Sequence, residues 1–300
     1  MDKVLITGGT GFLGSHLIRS LNKEYSVTSV SRKKKNQKRI PKVKYLFFDI
    51  AKYSLAKKYL EKKNFDFIIN CCGNINHNKK TETYNAHLKV VKNLIKTLKK
   101  KKIKKFIQIG SCLEYGSIKS PQRENEICKP NSNYGNAKYF ATKLIKKNFP
   151  QNYLILRPYQ IFGPLQKLDR LIPITINSCL NDKSFACTNG SQLRDFLYIT
   201  DFVKLIKIIL KKHHQINYGI FNVGSGKPYK VSIIINKIKN KIKKGTPQFG
   251  KIKMRKDEII KLYPSIKKIK KQFQWYPETN IDKALNKTIQ YYKKLHLYLK

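Results

Sequence analysis

Three things are missing or scarce in this sequence, and each narrows what the chain does. No stretch approaches the ~18 consecutive apolar residues of a membrane-spanning helix, so no membrane segment is expected. Six cysteines are present, but none forms a C-x-x-C pair and no histidines accompany them at zinc-ligand spacing, so no metal site is expected. They read as reduced packing residues. Acidic side chains are scarce: 17 Asp and Glu face 64 Lys and Arg, a formal net charge of +47. Such a field attracts polyanions. The excess is nearly all lysine and is spread along the whole chain, whereas a phosphate-reading surface clusters arginine with stacking aromatics. Lys, Asn, Ile and Tyr are enriched together, as AT-rich coding bias produces, so nucleic acid is not expected as a partner. Met1-Asp2-Lys3 leads straight into strand-like Val4-Leu5-Ile6 with no room for a signal peptide, and a cytoplasmic location is expected.

What is there is an alternation. Short apolar runs at Lys3–Thr7, Ser26–Ser31, Val43–Phe48, Phe67–Cys71, Phe106–Ile109 and Tyr153–Leu156 suit strands of a sheet covered on both faces. Helical periodicity lies between them. It is clearest over Thr83–Lys100, where Leu88, Val91, Leu94, Ile95 and Leu98 share a face. Strands alternating with helices predict an α/β fold with a doubly wound parallel sheet. After Pro158 the alternation fades, and helices such as Val203–Lys212 and Ile281–Leu295 suggest a smaller interleaved lobe.

Gly8-x-x-Gly11-x-x-Gly14 follows the first strand and opens a helix over Phe12–Leu21. A sharp turn, close approach of backbone to a pyrophosphate and tight helix–strand packing all demand glycine, and the helix N-terminus favours the phosphates. In this βα context the motif predicts a Rossmann-type dinucleotide site built from Gly8, Gly11, Phe12, Leu13 and Gly14. The second strand ends in Ser31-Arg32-Lys33, not in the carboxylate that would bind the ribose 2′-hydroxyl of NAD. Arg32 suits a 2′-phosphate, so NADP is expected, with NAD as the alternative.

Tyr134 and Lys138 stand four apart, on one face of a helix. A phenol normally titrates near pH ~10, and a neighbouring ammonium is expected to lower that value. Tyr134 is then the acid–base group at a sugar or alcohol oxygen while hydride moves to or from nicotinamide. Lys138 also suits the nicotinamide ribose, and Ser111, at the end of the fifth strand, orients the reacting oxygen.

With these residues in place, the chain resembles an extended short-chain dehydrogenase/reductase of the NAD-dependent epimerase/dehydratase family acting on nucleotide sugars. Matching segments span nearly the whole chain: Thr7–Gly14, Phe48-Asp49-Ile50, Ser111–Gly116, Tyr134–Lys138, Arg157–Pro164, Gln192–Phe196, Phe221–Gly226 and Trp275-Tyr276-Pro277. The resemblance implies that Asp49 accepts from the adenine amino group with Ile50 beside it, and that backbone after Pro158 meets the nicotinamide amide. Arg194 matches a position that binds the substrate's diphosphate, and Arg255 a second phosphate-binding position. It implies a nucleotide-diphosphate sugar as partner and a homodimer through helices near 85–102 and 134–148. The dinucleotide domain is placed at residues 1–160 plus 196–224, and the substrate lobe at 161–195 plus 225–300.

Family members that eliminate water carry an acidic residue where this chain has Leu113; Glu114 lies one place later. The segment Gly110–Gly116 resembles that of 4-keto-6-deoxysugar reductases, and an NADP preference agrees with a reaction that consumes cofactor. Reduction of a nucleotide-linked 4-ketosugar is the expected reaction, with 4-epimerisation as the alternative. A non-catalytic RNA-binding or structural member of the fold is the alternative of another class, and the retained Ser111, Tyr134 and Lys138 argue against it.

Overall fold

The computed structural model describes residues 1–32, 39–73, 80–255 and 258–298. Strands β1 (Lys3–Thr7), β2 (Ser26–Ser31), β3 (Lys44–Phe47), β4 (Phe67–Asn70), β5 (Lys105–Ile109) and β6 (Tyr153–Pro158) form where the apolar runs predict them. Three short strands follow, β7 (Gln160–Phe162), β8 (Ser184–Ala186) and β9 (Leu193–Tyr198), and then β10 (Gly219–Val223). Among the described residues, seven strands make one sheet in the order β3-β2-β1-β4-β5-β6-β10, with every neighbouring pair parallel. The order reverses between β1 and β4, which opens a crevice at the carboxyl ends of those strands.

Alternating side chains divide the core between the two faces of the sheet. Val4 and Ile6 of β1 and Ile107 and Ile109 of β5 pack on one side with α1 (Phe12–Leu21), through Leu17 and Ile18. Leu5, Ile68 and Phe106 face the other side, against α2 (Tyr53–Leu60) and the helix that spans residues 80–98. That helix is not uniform. It comprises α3 (Lys80–Tyr84), a π-helical turn Asn85–Lys89 and α4 (Val90–Leu98). Opposite α4 lies α5 (Asn133–Asn148), which buries Ala141 and Ile145.

Beyond β6 the chain builds a second layer. Helix α6 (Leu171–Leu180) leaves the sheet, and β9 pairs with β7. On its other flanks β9 meets β11 (Pro228–Lys230) and, after α7 (Ile199–Lys211), α8 (Val231–Ile242) and β12 (Thr246–Gln248), the short β13 (Lys261–Leu262). Helix α7 starts four residues before the expected Val203 and returns to the first core face through Phe202, Leu205, Ile206 and Ile209. Strand β9 crosses residue 196, where the two lobes were expected to divide. Helices α9 (Lys267–Phe273) and α10 (Ile281–Tyr298) close the fold. No helix among the described residues is long and apolar enough to cross a membrane.

One buried ion pair ties three elements together at the carboxyl edge of the sheet. Glu114 and Arg157 side chains are 0% and 1% exposed, with Arg157 Nη2 2.9 Å and Nε 3.1 Å from Glu114 Oε2. Thr142 of α5 donates to the same oxygen at 2.9 Å, and the Ser111 amide donates to Oε1 at 2.9 Å. Burial opposes the Arg157 charge, but Glu114 and the Tyr115 ring, 4.3 Å from the guanidinium, hold its pKa above the ordinary value. Removing one partner of such a pair strands the other charge. Arg157→Leu is expected to lower unfolding free energy by about 3–5 kcal/mol in urea titration, and a loss below about 1 kcal/mol would show that the pair is dispensable.

Candidate active site

The glycine loop turns into α1 at the switch point. Gly8 donates to Val30 O at 2.8 Å and accepts from Gly11 at 2.9 Å, and Gly11 caps the helix without a side chain. In the first turn the amides of Phe12, Leu13 and Gly14 have no acceptor within the helix and point out of its N-terminus. A Cβ on Gly14 would lie 2.4 Å from Gly8 O and 2.7 Å from the Gly9 Cα, so only glycine lets the helix come this close to the strand. This cradle fits a dinucleotide pyrophosphate.

Arg32 is exposed just past β2, beside Ser31, whose hydroxyl accepts from the Thr10 amide at 3.1 Å. Both Arg32 and Asp49 act electrostatically on the Cys72 thiol, which places them around one point at the end of β4. Asp49 Oδ1 accepts from the Ala51 amide at 2.9 Å. Ile50 is 3% exposed within the second core cluster, and its carbonyl holds Asn93 of α4 at 2.7 Å. Pro158 ends β6 opposite Val223, half-buried. Lys33 lies outside the described residues.

Ser111, Tyr134 and Lys138 converge where β5 ends. Ser111 caps a short 3-10 turn, Cys112–Glu114, with its hydroxyl accepting from Leu113 at 3.1 Å, and Glu114 completes a reciprocal cap. Ser132 caps α5 by accepting from Gly135 at 3.0 Å, which sets Tyr134 and Lys138 on the turns that face Ser111. Tyr134 is half-buried, and the Ser111 side chain hydrogen-bonds it. Lys138 is 4% exposed; its Nζ donates to Ile109 O at 2.6 Å and lies 5.9 Å from the Tyr134 ring centroid.

The electrostatics differ from the simple expectation for a Tyr–Lys pair. Burial pushes the Tyr134 phenol up to about 12, with the Ser111 hydrogen bond pulling the other way. Burial pushes Lys138 down to about 8, partly opposed by Glu114, Cys71 and Cys72. In the unliganded protein desolvation therefore dominates, and the phenol stays protonated at neutrality.

In the small sheet, Arg194 on β9 is 9% exposed and reaches Leu193 O at 2.9 Å and Ile260 O at 3.3 Å. Its Nη2 also binds Glu258, whose other oxygen takes Arg255 Nε at 3.1 Å and Nη2 at 2.8 Å. One carboxylate thus gathers both arginines that the resemblance singled out. Glu258 itself was not foreseen; its signal was an acidic residue three places after Arg255 in a chain that has few. Asp195 is fully buried and accepts from the Ser225 and Gly226 amides, each at 2.6 Å, which is structural work. Trp275 is buried too, donating to Asp201 O at 3.1 Å.

With this geometry in view, comparison with known proteins is direct. Residues 4–224 match the NAD dependent epimerase/dehydratase family. The chain belongs to that family. It is an enzyme of this epimerase/dehydratase type. A dTDP-D-glucose 4,6-dehydratase of Dictyostelium discoideum is 28% identical over 75% of this chain and 58% of its own length. A CDP-abequose synthase of Salmonella muenchen is 25% identical over 96% of this chain and 97% of its own. The structure of UDP-glucose 4-epimerase from Thermotoga maritima with UDP-glucose superposes with a TM-score of 0.89 at 21% identity, covering 98% of this chain and 99% of that one.

The glycine cradle makes one sharp demand. Gly14→Ala is expected to weaken dinucleotide binding about tenfold or more, because overpacking of this kind costs about 1–3 kcal/mol. Titration of reduced-nicotinamide fluorescence measures it, and an unchanged affinity would mean that the loop does not hold the pyrophosphate.

Proposed function

We propose that the chain reduces a nucleotide-linked 4-ketosugar, with NADPH as preferred cofactor. The observation that carries this reading is the convergence of Ser111, Tyr134 and Lys138 where β5 ends; burial pushes the Tyr134 phenol up to about 12, so it enters as a proton donor. Bound at the glycine loop, the nicotinamide dinucleotide supplies the hydride that the carbonyl carbon gains. The Ser111 hydroxyl donates to the carbonyl oxygen and aligns it with Tyr134. As charge develops on that oxygen, the Tyr134 proton moves to it and the product is a hydroxyl. Lys138, in its ammonium form, stabilises the phenolate left behind and takes the nicotinamide ribose hydroxyls.

Elimination of water is disfavoured by the same arrangement. Glu114, the carboxylate next to the position that would serve it, is consumed by Arg157, Thr142 and the Ser111 amide. Arg32, exposed at the end of β2, suits the 2′-phosphate of NADPH. Asp49 serves the adenine, and the backbone after Pro158 serves the nicotinamide amide. Arg194 and Arg255 serve the diphosphate, which the lobe of residues 161–195 and 225–300 presents to the dinucleotide domain. A homodimer through α4 and α5 belongs to this reading; Lys92, Lys96 and Lys99 flank Ile95 and Leu144 on that face, so its association should strengthen with salt.

Incubation with NADPH and nucleotide-linked 4-keto-6-deoxysugars, followed at the reduced-nicotinamide absorbance, is expected to show oxidation, faster with NADPH than with NADH. No oxidation with any such sugar, together with interconversion of UDP-hexoses on already bound cofactor, would establish the epimerase instead. The pH profile is a second check. Lys138, with its pKa lowered to about 8, is charged below that pH and loses its proton above it, while Tyr134 remains a donor. Reductive kcat/KM should therefore fall as pH rises through about 8. A profile flat to the alkaline limit of stability would remove Lys138 from the mechanism.

A further inference from the structure

Between Tyr134 and the sheet lies a histidine that the proton and hydride steps leave unused. His87 is 2% exposed, and its ring meets the Tyr134 ring edge-to-face, with centroids 4.8 Å apart and planes at 89°. Two departures from regular structure converge on this one imidazole. Residues Asn85–Lys89 form a π-helical turn, with the Val90 amide donating to Asn85 O. Such turns interrupt an otherwise regular helix at a cost in hydrogen-bond geometry, and they gather at functional sites. The second departure is Gly73, just past β4, where a Cβ would lie 2.9 Å from His87 Cε1. A side chain there would push the imidazole away from its place.

We propose that His87 is a positioning residue for Tyr134: its ring fixes the angle at which the phenol meets the reacting oxygen. This rests on the reading of Tyr134 as proton donor. Tyr134 stands in the first turn of α5, where the backbone places Cα and Cβ but leaves the ring free to turn about χ2. The Ser111 hydroxyl lies beside the phenol oxygen at one end of that ring. The His87 contact sets the plane of the ring. Edge-to-face aromatic pairs carry a preferred geometry beyond simple burial, so this contact defines an orientation and not only a volume. With oxygen and ring plane both fixed, the phenol is aligned before substrate arrives.

The test compares His87→Ala and His87→Phe with the wild type in the NADPH-dependent reduction. His87→Ala is expected to lower kcat about 10- to 100-fold, with KM and dinucleotide Kd within about twofold of wild type. His87→Phe, which restores an aromatic partner, should recover kcat to within a few-fold. An unchanged kcat in His87→Ala overturns the proposal. So does a parallel loss of cofactor affinity and melting temperature in both variants, which would mark His87 as packing alone. A Phe variant as slow as the Ala variant overturns it as well, because a polar role of the imidazole would then be responsible. A readout free of turnover separates this from the proposed reaction: in 3-fluorotyrosine-labelled protein, the fluorine resonance that Tyr134→Phe abolishes should shift in His87→Ala and largely return in His87→Phe. If the wild type reduces no ketosugar while that resonance behaves as expected, the reaction assignment fails and the contact stands. If the resonance does not respond, the positioning role fails whatever the reaction.

Discussion

The arrangement of the site depends on the Glu114 carboxylate. Its two oxygens take the Ser111 amide, the Thr142 hydroxyl and the Arg157 guanidinium, and these belong to the turn after β5, to α5 and to β6. Ser111 and the helix that carries Tyr134 and Lys138 are thus referenced to one buried group. Burial constrains the arrangement: both ions are out of water, so separating them would leave a buried charge unpaired. The separation of Ser111 from Tyr134 is set by a charge that takes no part in the proton transfer.

The sheet supplies the second constraint. Reversal of strand order between β1 and β4 opens the crevice, and the glycine loop brings α1 to its edge. Because β5 ends beside that crevice, Ser111 arrives next to the dinucleotide cradle without a long loop. The small sheet around β9 holds Arg194, and Glu258 links it to Arg255. Fold and site therefore share their parts: the strand ends that close the core are the ones that present the functional groups.

How much of this was legible in the sequence follows from how local each signal is. The glycine loop is written in seven consecutive residues, and Tyr134 and Lys138 in five, so both were readable as spacing. Six strands of the sheet stood out as apolar runs between helical stretches. The seventh, β10, returns after the small lobe as five residues bounded by Gly219 and Gly224, too short to show a period. The bridge from Arg194 to Glu258 spans 64 residues and exists only because β9 and β13 pair. His87 sits on a helix whose apolar stripe was plain, but the π turn around it leaves no mark in periodicity. The direction in which Tyr134 titrates was hidden for a related reason: a lysine four residues away is visible in sequence, whereas the desolvation that raises the phenol comes from the whole fold.

Glu258 gives the proposed anion site a character of its own. Two guanidiniums brought together without a ligand would repel each other, and here a carboxylate already lies between them. Under the proposed role of Arg194 and Arg255, the arrival of a diphosphate would be an exchange of anions. The resting pair is not an open positive pocket, and the affinity it offers is a difference: what two arginines gain from phosphate oxygens, less what they surrender from a carboxylate. In a protein so rich in lysine, that difference is a selectivity filter. Casual anions meet two positive charges already offset in part by one carboxylate, and a ligand that engages both arginines at once has the advantage.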